Sequence, residues 1–399
     1  MTTTPFDSIR IYVLWAPPGG GNEGPGMQVA MALNDSLSGS ASKRDTAGLG
    51  ITVRHRSRQW PNKQGVSTFR PIDFDAAECN VIIAVYTDVM HGRDEWRDYL
   101  RQIYKTYEQR GGVDLLLPII LSKVPGARPS WGQVQGIARD EYLSTDGKGL
   151  SPSGLRRLIL DVLSRILEKV RPNTAADQPK KVTIFLSHAK QDGVDAATLV
   201  EQFGRLKPSS GVPGVGLFYD VAHTLTGANF DEQFLGAIKE CVFLAIVTDA
   251  YHGRPWCQWE LLRAKQWQRP IVVWDRTDEG TARSFPYLGN VPVVRTPNLD
   301  GASDDLVENL LIQVLVEAIR MQVWENDARR RMSAIAGSRY DKVAYFARPP
   351  ELADIAYQCR AREISVIVYP DPPIGKDERS LFEAVLPGVL LLSLGEVQQ

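Results

Sequence analysis

Short apolar runs of strand length alternate with longer segments of helical periodicity through most of the chain. Polar loops rich in glycine and proline separate these segments. Because strands that alternate with helices pack as right-handed crossovers, the pattern predicts parallel sheets covered on both faces by helices. The predicted strands lie at residues 9–15, 51–55, 81–86, 115–120, 181–186, 216–219, 242–247, 271–274, 342–346, 365–369 and 389–394.

Helical periodicity and proline positions place the helices between these strands. A proline at the first helical position is preset for a helix, so a helix is expected to open at Pro255. The other predicted helices lie at residues 27–37, 74–78, 95–108, 154–170, 196–204, 230–239, 303–323, 350–362 and 380–386.

The chain contains an internal repeat. An apolar strand runs into the sequence Thr-Asp-x-x-His-Gly-Arg at residues 87–93, and another does so at residues 248–254. Agreement in residue type, spacing and strand context indicates a duplication. The segment after residue 330 repeats the opening half of this pattern again and then stops, so we expect a third, truncated copy. The expected domains are 1–170, 181–330 and 331–399, with a proline-bounded linker at 171–180.

The charge and composition of the chain limit the kinds of partner that it is expected to bind. The 399 residues carry a formal net charge of −1, which gives no basic surface for nucleic acid or anionic membranes. No apolar run approaches the length of a membrane span, and the first residues do not resemble a signal peptide, so we expect a cytoplasmic protein. The four cysteines and five histidines show no metal-ligand spacing, so no metal is expected.

Polar residues of the middle domain gather where three predicted strands end. Because the carboxyl ends of adjacent parallel strands meet at one edge of a sheet, we expect these residues to form a cleft with a carboxylate in it. The first copy lacks this carboxylate, since Tyr99 stands at the offset from Thr-Asp that Glu260 has in the second. The candidate site residues are Ser187, His188, Asp192, Asp220, Trp256, Cys257 and Glu260.

Each of these residues also has a structural interpretation. A glutamate early in a helix is favoured by the helix dipole alone, so Glu260 is not diagnostic by itself. Ser187 could contact a ribose or a phosphate, or simply hydrogen-bond the turn after its strand. We expect Trp256 to pack its helix against the sheet and Asp220 to cap a turn. Cys257 has no histidine in a triad arrangement, so a nucleophile is not predicted there.

Residues 181–323 resemble a Toll/interleukin-1 receptor (TIR) domain of the bacterial kind. The resemblance is carried by three ordered motifs, and the flanking copies look like degenerate folds of the same type. It implies flavodoxin-like domains in three copies, the third truncated. The motifs are Phe185-Leu186-Ser187-His188 with Asp192, then Phe218-Tyr219-Asp220 with Gly227 and Phe230, then Trp256-Cys257-x-x-Glu260-Leu261.

The resemblance also implies an activity. In many TIR domains the glutamate after Trp-Cys cleaves the nicotinamide–ribose bond of NAD+, a role that would fall on Glu260, with NAD+ as substrate and no cofactor. It further implies self-association through residues 223–229, a separate sensor or activator protein, and a place in bacterial anti-phage immunity. Two alternatives stay open: a non-enzymatic TIR scaffold that mediates assembly, and a hydrolase of a different N-glycoside.

Overall fold

The computed structural model describes most of the chain outside several loops. It covers residues 7–18, 24–37, 51–61, 64–124, 126–129, 131, 134–138, 142–144, 149–171, 182–189, 196–197, 200–201, 215–219, 238, 241–278, 288–296, 304–335 and 342–398. The described residues group into two compact units, one ending at Lys169 and the other starting at Val170.

The amino-terminal unit is a parallel sheet with helices between its strands. A short antiparallel hairpin, β3 and β4, is inserted after its second strand. Its elements are β1 (Asp7–Trp15), α1 (Pro25–Leu37), β2 (Thr52–Arg56), β3 (Gln59–Pro61), β4 (Ser67–Phe69), β5 (Ala77–Tyr86), α2 (Asp88–His91), α3 (Asp94–Gln109), β6 (Leu115–Ile120), β7 (Ile137–Ala138) and α4 (Pro152–Val170).

The second unit contains two further parallel sheets, one of five strands and one of three. Its elements are β8 (Val182–His188), β9 (Val215–Tyr219), β10 (Val242–Val247), α5 (Pro255–Gln266), β11 (Ile271–Asp275), β12 (Val293–Arg295), α6 (Asp304–Ile335), β13 (Val343–Tyr345), α7 (Leu352–Arg362), β14 (Val366–Tyr369), α8 (Lys376–Val385) and β15 (Leu390–Ser393).

Both five-stranded sheets have the same strand order. The first runs β2-β1-β5-β6-β7 and the second β9-β8-β10-β11-β12, with every neighbouring pair parallel. Counted within each sheet this is the flavodoxin-like order, in which the opening strand lies between the second and the third. The prediction of a parallel α/β fold of flavodoxin-like type is confirmed. In such sheets ligands bind where the strand order reverses, at the carboxyl ends of the strands.

The three-stranded sheet is parallel but differs in order. It runs β13-β14-β15, so its second strand is central, whereas the opening strand is flanked on both sides in the other two sheets. The tail thus keeps the α/β character expected of a third copy without the strand order of the first two. Helix α6 extends well past the expected end at residue 323 and crosses the expected domain boundary at 330. Its last turns pack Trp324, Ala328 and Met332 against the third sheet.

Several local expectations differ from the structure. The helix expected at 74–78 is a single 3-10 turn at Phe74–Ala76, and β5 already begins at Ala77. The short strands β3, β4, β7 and β12 were not expected, because segments of two or three residues are too short to show a period. The helices expected at 196–204 and 230–239, and the linker, lie largely outside the described residues. No helix in the described part of the chain is long and apolar enough to span a membrane.

Helix α5 carries the candidate glutamate, and both its start and its buried face follow from local sequence. Pro255 occupies the first helical turn after an extended Arg254, where its missing N–H is not needed. The residues buried on this helix are spaced three and four apart, as one helical face requires. They are Cys257, Glu260, Leu261, Ala264 and Lys265. Most of this face packs in the core against the strands around β10, so Glu260 is drawn into the interior with its apolar neighbours.

The carboxyl-terminal part of the chain holds the far end of α5. The Lys265 ammonium is fully buried and donates to the Gly289 carbonyl at 2.8 Å and to the Glu351 carboxylate at 2.6 Å. Trp267 donates to the Tyr357 hydroxyl at 2.9 Å, just beyond the helix end. Burial lowers the pKa of Lys265 below its usual 10.5, and Glu351 opposes that shift. The ion pair therefore fixes the helix that carries Glu260.

We expect Glu351→Gln to lower the free energy of unfolding by about 2–4 kcal/mol, because it removes the carboxylate to which the buried Lys265 ammonium is hydrogen-bonded. Urea unfolding followed by circular dichroism measures this loss. The deficit should shrink as the pH is raised toward 10.5, since deprotonated Lys265 needs no counter-charge.

The matched control is Glu363→Gln, which removes the same charge from the exposed pair that Glu363 forms with Lys342. It should leave stability close to that of the natural chain. Equal losses from the two variants would show that the buried pair has no special role.

Candidate functional site

A buried carboxylate and a buried serine meet at the carboxyl end of β8. Ser187 lies opposite Ala245 of β10 in the strand register, at the point where the strand order reverses. Its hydroxyl donates to Oε2 of Glu260 at 2.5 Å, which is a short hydrogen bond. Ser187 is 1% exposed and Glu260 is 2% exposed. The structure thus brings together two of the residues predicted from sequence, and it places Ser187 inside the strand rather than in the loop expected after residue 186.

Tyr251 completes a chain of hydrogen bonds that ends on Glu260. It lies in a 3-10 turn, Tyr251–Gly253, between β10 and α5, and its hydroxyl is 2.9 Å from the Ser187 hydroxyl. Burial raises the pKa of Tyr251 well above its usual value, and the nearby Cys257 and Glu260 raise it further. The phenol therefore stays protonated. Because Ser187 gives its one proton to Glu260, its oxygen accepts the proton of Tyr251.

Sequence reasoning missed Tyr251. It lies within the repeated Thr-Asp-x-x-His-Gly-Arg motif, at a position where the first copy has Met90. The signal that could have found it is this difference, because a tyrosine that replaces a methionine in a repeated core segment adds a buried hydroxyl that must find a partner.

Cys257 and His188 lie beside this chain. The Cys257 thiol is buried and donates to the backbone carbonyl of His188 at 3.4 Å, which is a structural contact. His188 is half-buried and is the last residue of β8, not a loop residue as expected. Within the described residues, no three histidine, cysteine or acidic side chains are placed to hold a metal ion.

The expectation for Trp256 is wrong. Trp256 is 43% exposed and its ring stacks on Trp259 with ring centroids 5.0 Å apart, so it does not pack the helix against the sheet. Trp256 is the second residue of α5, where no earlier turn of the helix covers its side chain. The predicted site residues Asp192 and Asp220, and the loop 223–229, lie outside the described residues.

The amino-terminal unit shows what the same positions contain without the carboxylate. Leu14 pairs with Ala84 as Ser187 pairs with Ala245, so Leu14 takes the place of the serine. Counted from the shared Thr-Asp, the glutamate, tyrosine and cysteine of the second unit correspond to Tyr99, Met90 and Trp96 of the first. All four replacements lie in one apolar cluster.

This comparison distinguishes the side chains that the fold requires from those that only the candidate site requires. Burying polar side chains costs desolvation free energy, and the hydrogen bonds between them offset only part of that cost. Apolar side chains of similar size stabilise the same space at least as well. The amino-terminal unit uses the apolar solution in the same strand order. The fold therefore does not require the polar chain of Tyr251, Ser187 and Glu260, and its presence in the second unit points to chemistry.

No protein-family model matches the chain, and no curated protein is significantly similar to it. A function is therefore inferred from the geometry of the site and from the sequence motifs of residues 181–323.

We expect Glu260→Gln to change the free energy of unfolding by no more than about 1 kcal/mol. The amide keeps the shape of the carboxylate and still accepts from Ser187, while a buried charge is removed. Urea unfolding measures the change. A loss well above this range would mean that the carboxylate is there to hold the fold.

A double-mutant cycle sharpens this prediction. Ser187→Ala should cost about 2–3 kcal/mol in the natural chain, because it removes the Ser187 hydroxyl as a donor to the buried carboxylate. The same substitution in the Glu260→Gln chain should cost clearly less, since no charge is left unpaired. Equal costs in the two backgrounds would contradict a charged Glu260 in the resting protein.

Proposed function

We propose that the second unit cleaves the nicotinamide–ribose bond of NAD+, with Glu260 as the catalytic carboxylate. The observation that carries the proposal is the buried chain from Tyr251 through Ser187 to Glu260. It lies at the sheet edge where flavodoxin-like folds bind ligands, and the sister unit has replaced it with apolar side chains. The resemblance of residues 181–323 to TIR domains supports the same assignment.

The chemistry needs a carboxylate and little else. The nicotinamide ring of NAD+ is cationic, so it leaves as a neutral molecule without a general acid, while the ribose acquires oxocarbenium character. A carboxylate beside that carbon stabilises the growing positive charge or accepts from a ribose hydroxyl. Water then adds to the carbon and releases a proton, which gives ADP-ribose. Glu260 would supply the carboxylate.

Ser187 and Tyr251 would act through Glu260. The Ser187 hydroxyl holds one carboxylate oxygen at 2.5 Å, and Tyr251 fixes the serine from behind. This arrangement holds the Glu260 side chain in one orientation relative to the sheet edge. In the reaction, Ser187 and Tyr251 are positioning residues.

The burial of Glu260 supports control by assembly. A side chain that is 2% exposed meets a substrate only after its neighbours move. The exposed Trp256, stacked on the partly buried Trp259, lies at the start of the same helix, and aromatic residues are enriched at the cores of protein interfaces. Self-association through this end of α5 would couple assembly to access. A separate activator protein would act on the same step.

The same aromatic pair favours the second candidate function, a scaffold that assembles without catalysis. A scaffold would use the exposed surface of α5 for contacts between subunits, and its function would not require a buried carboxylate. The two functions therefore differ in what they ask of Glu260, and one substitution separates them.

The test is nicotinamide release from NAD+ by the purified chain at high concentration, with and without a crowding agent. We expect release by the natural chain and a loss of about 100- to 1,000-fold in Glu260→Gln, because the substitution removes the charge that stabilises the transition state. Chromatography of the products distinguishes ADP-ribose from a cyclic isomer.

Glu325→Gln is the matched control, since it neutralises a surface glutamate on α6 that pairs with Arg329. It should retain full activity. Equal release by the natural chain and Glu260→Gln would remove Glu260 from the mechanism, and cleavage of other N-glycosides in preference to NAD+ would indicate a different substrate. Assembly without any cleavage would favour the scaffold.

A further inference from the structure

The amino-terminal unit contains a second candidate site, far richer in positive charge than the first. An open cleft with a volume of about 740 Å³ lies at the carboxyl end of β2, beneath the β3–β4 hairpin and the segment that follows it. This size is typical of small-molecule sites. Its chemistry-bearing lining residues are Arg54, His55, Arg56, Arg58, Trp60 and Arg70.

Within the described residues, no carboxylate balances the positive charge of this cleft. The described lining contains four arginines and no aspartate or glutamate. Among the described residues, none of the four forms an ion pair with a carboxylate. Burial lowers the pKa of Arg56, Tyr99 and Tyr12 oppose that shift, and the neighbouring charges of Arg70 and Arg54 add to it. Neighbouring arginines repel one another, and a cluster of them is typical of a site that binds an anion.

The four arginines have different tasks. Arg56 is half-buried and donates to the backbone carbonyls of Arg70, Pro71 and His55, so it joins the walls of the cleft. Arg54, Arg58 and Arg70 are exposed. Their guanidinium groups are suited to paired hydrogen bonds with phosphate oxygens.

An aromatic surface lies beside these charges. Trp60 is 52% exposed, and the Arg58 guanidinium lies 4.2 Å from the centroid of its ring. A stacked guanidinium and indole form a flat surface on which a nucleobase stacks well. Cationic groups next to such a surface match a phosphate ester that carries an aromatic base.

The residue that replaces the catalytic glutamate supports this cleft. The Tyr99 hydroxyl donates to the Arg70 backbone carbonyl at 2.9 Å, and its ring stacks on Phe69 with centroids 4.8 Å apart. Phe69 and Arg70 both line the cleft. In the second unit the corresponding position is Glu260. The amino-terminal unit therefore uses this position to hold the wall of a binding cleft.

We propose that the cleft binds a nucleotide, with its phosphates on Arg54, Arg58 and Arg70 and its base on Trp60. A free nucleotide is favoured over a nucleic acid, because the cleft has the volume of one small molecule and the chain has a net charge of −1. The proposal does not depend on the cleavage of NAD+ by the second unit.

The test is isothermal titration of the full chain with ADP, GDP, CDP and UDP, and with adenosine and pyrophosphate as partial ligands. We expect at least one of the four diphosphates to bind. If that ligand is ADP, adenosine and pyrophosphate should each bind more weakly than ADP. Trp60→Ala and the double variant Arg54→Ala with Arg70→Ala should each raise its Kd roughly 10-fold or more.

Arg101→Ala is the matched control, since it removes an exposed arginine on α3 that pairs with Asp98, away from the cleft. It should leave the Kd unchanged, and circular dichroism checks that all variants are folded. The proposal is overturned if no diphosphate binds at about 1 mM. It is also overturned if binding survives both cleft variants, or if pyrophosphate binds as tightly as the nucleotide, which would indicate a simple anion site.

Discussion

The burial of the Glu260 carboxylate is the constraint on which the candidate site of the second unit depends. A charge in a protein interior is costly unless donors meet it, and here Ser187 meets it at 2.5 Å with Tyr251 behind. Pro255 starts the helix early enough to place residue 260 beside β8, and the apolar face of α5 draws it inward. At the other end, the buried pair of Lys265 and Glu351 holds the helix in place.

The two units show two uses of one framework. They have the same strand order and share the Thr-Asp-x-x-His-Gly-Arg motif, yet one fills the critical positions with polar groups and the other with apolar ones. Tyr99 takes the position of Glu260 and supports the arginine cleft instead. The two units thus share one strand order, but the second carries a candidate catalytic site and the first a candidate binding site.

Much of this architecture could be predicted from the sequence. The alternation of apolar strands with helices gave the parallel sheets, and Pro255 gave the start of α5. The proximity of Ser187 and Glu260 followed from strand order alone. The end of β8 was predicted too early, because its last two residues, Ser187 and His188, are polar. Polar side chains at the end of a strand that enters a site look like the start of a loop. The direction of Trp256 depended on its place in the first helical turn, and the strand order of the tail depended on tertiary packing.

A crystal structure of the Glu260→Gln protein with NAD+ would show whether Glu260 faces the bond that is cleaved. We expect NAD+ at the carboxyl ends of β8 and β10, with the ribose that carries nicotinamide in contact with residue 260 and Ser187 still bonded to that side chain. NAD+ bound only elsewhere, such as in the arginine cleft of the amino-terminal unit, would contradict a catalytic role for Glu260.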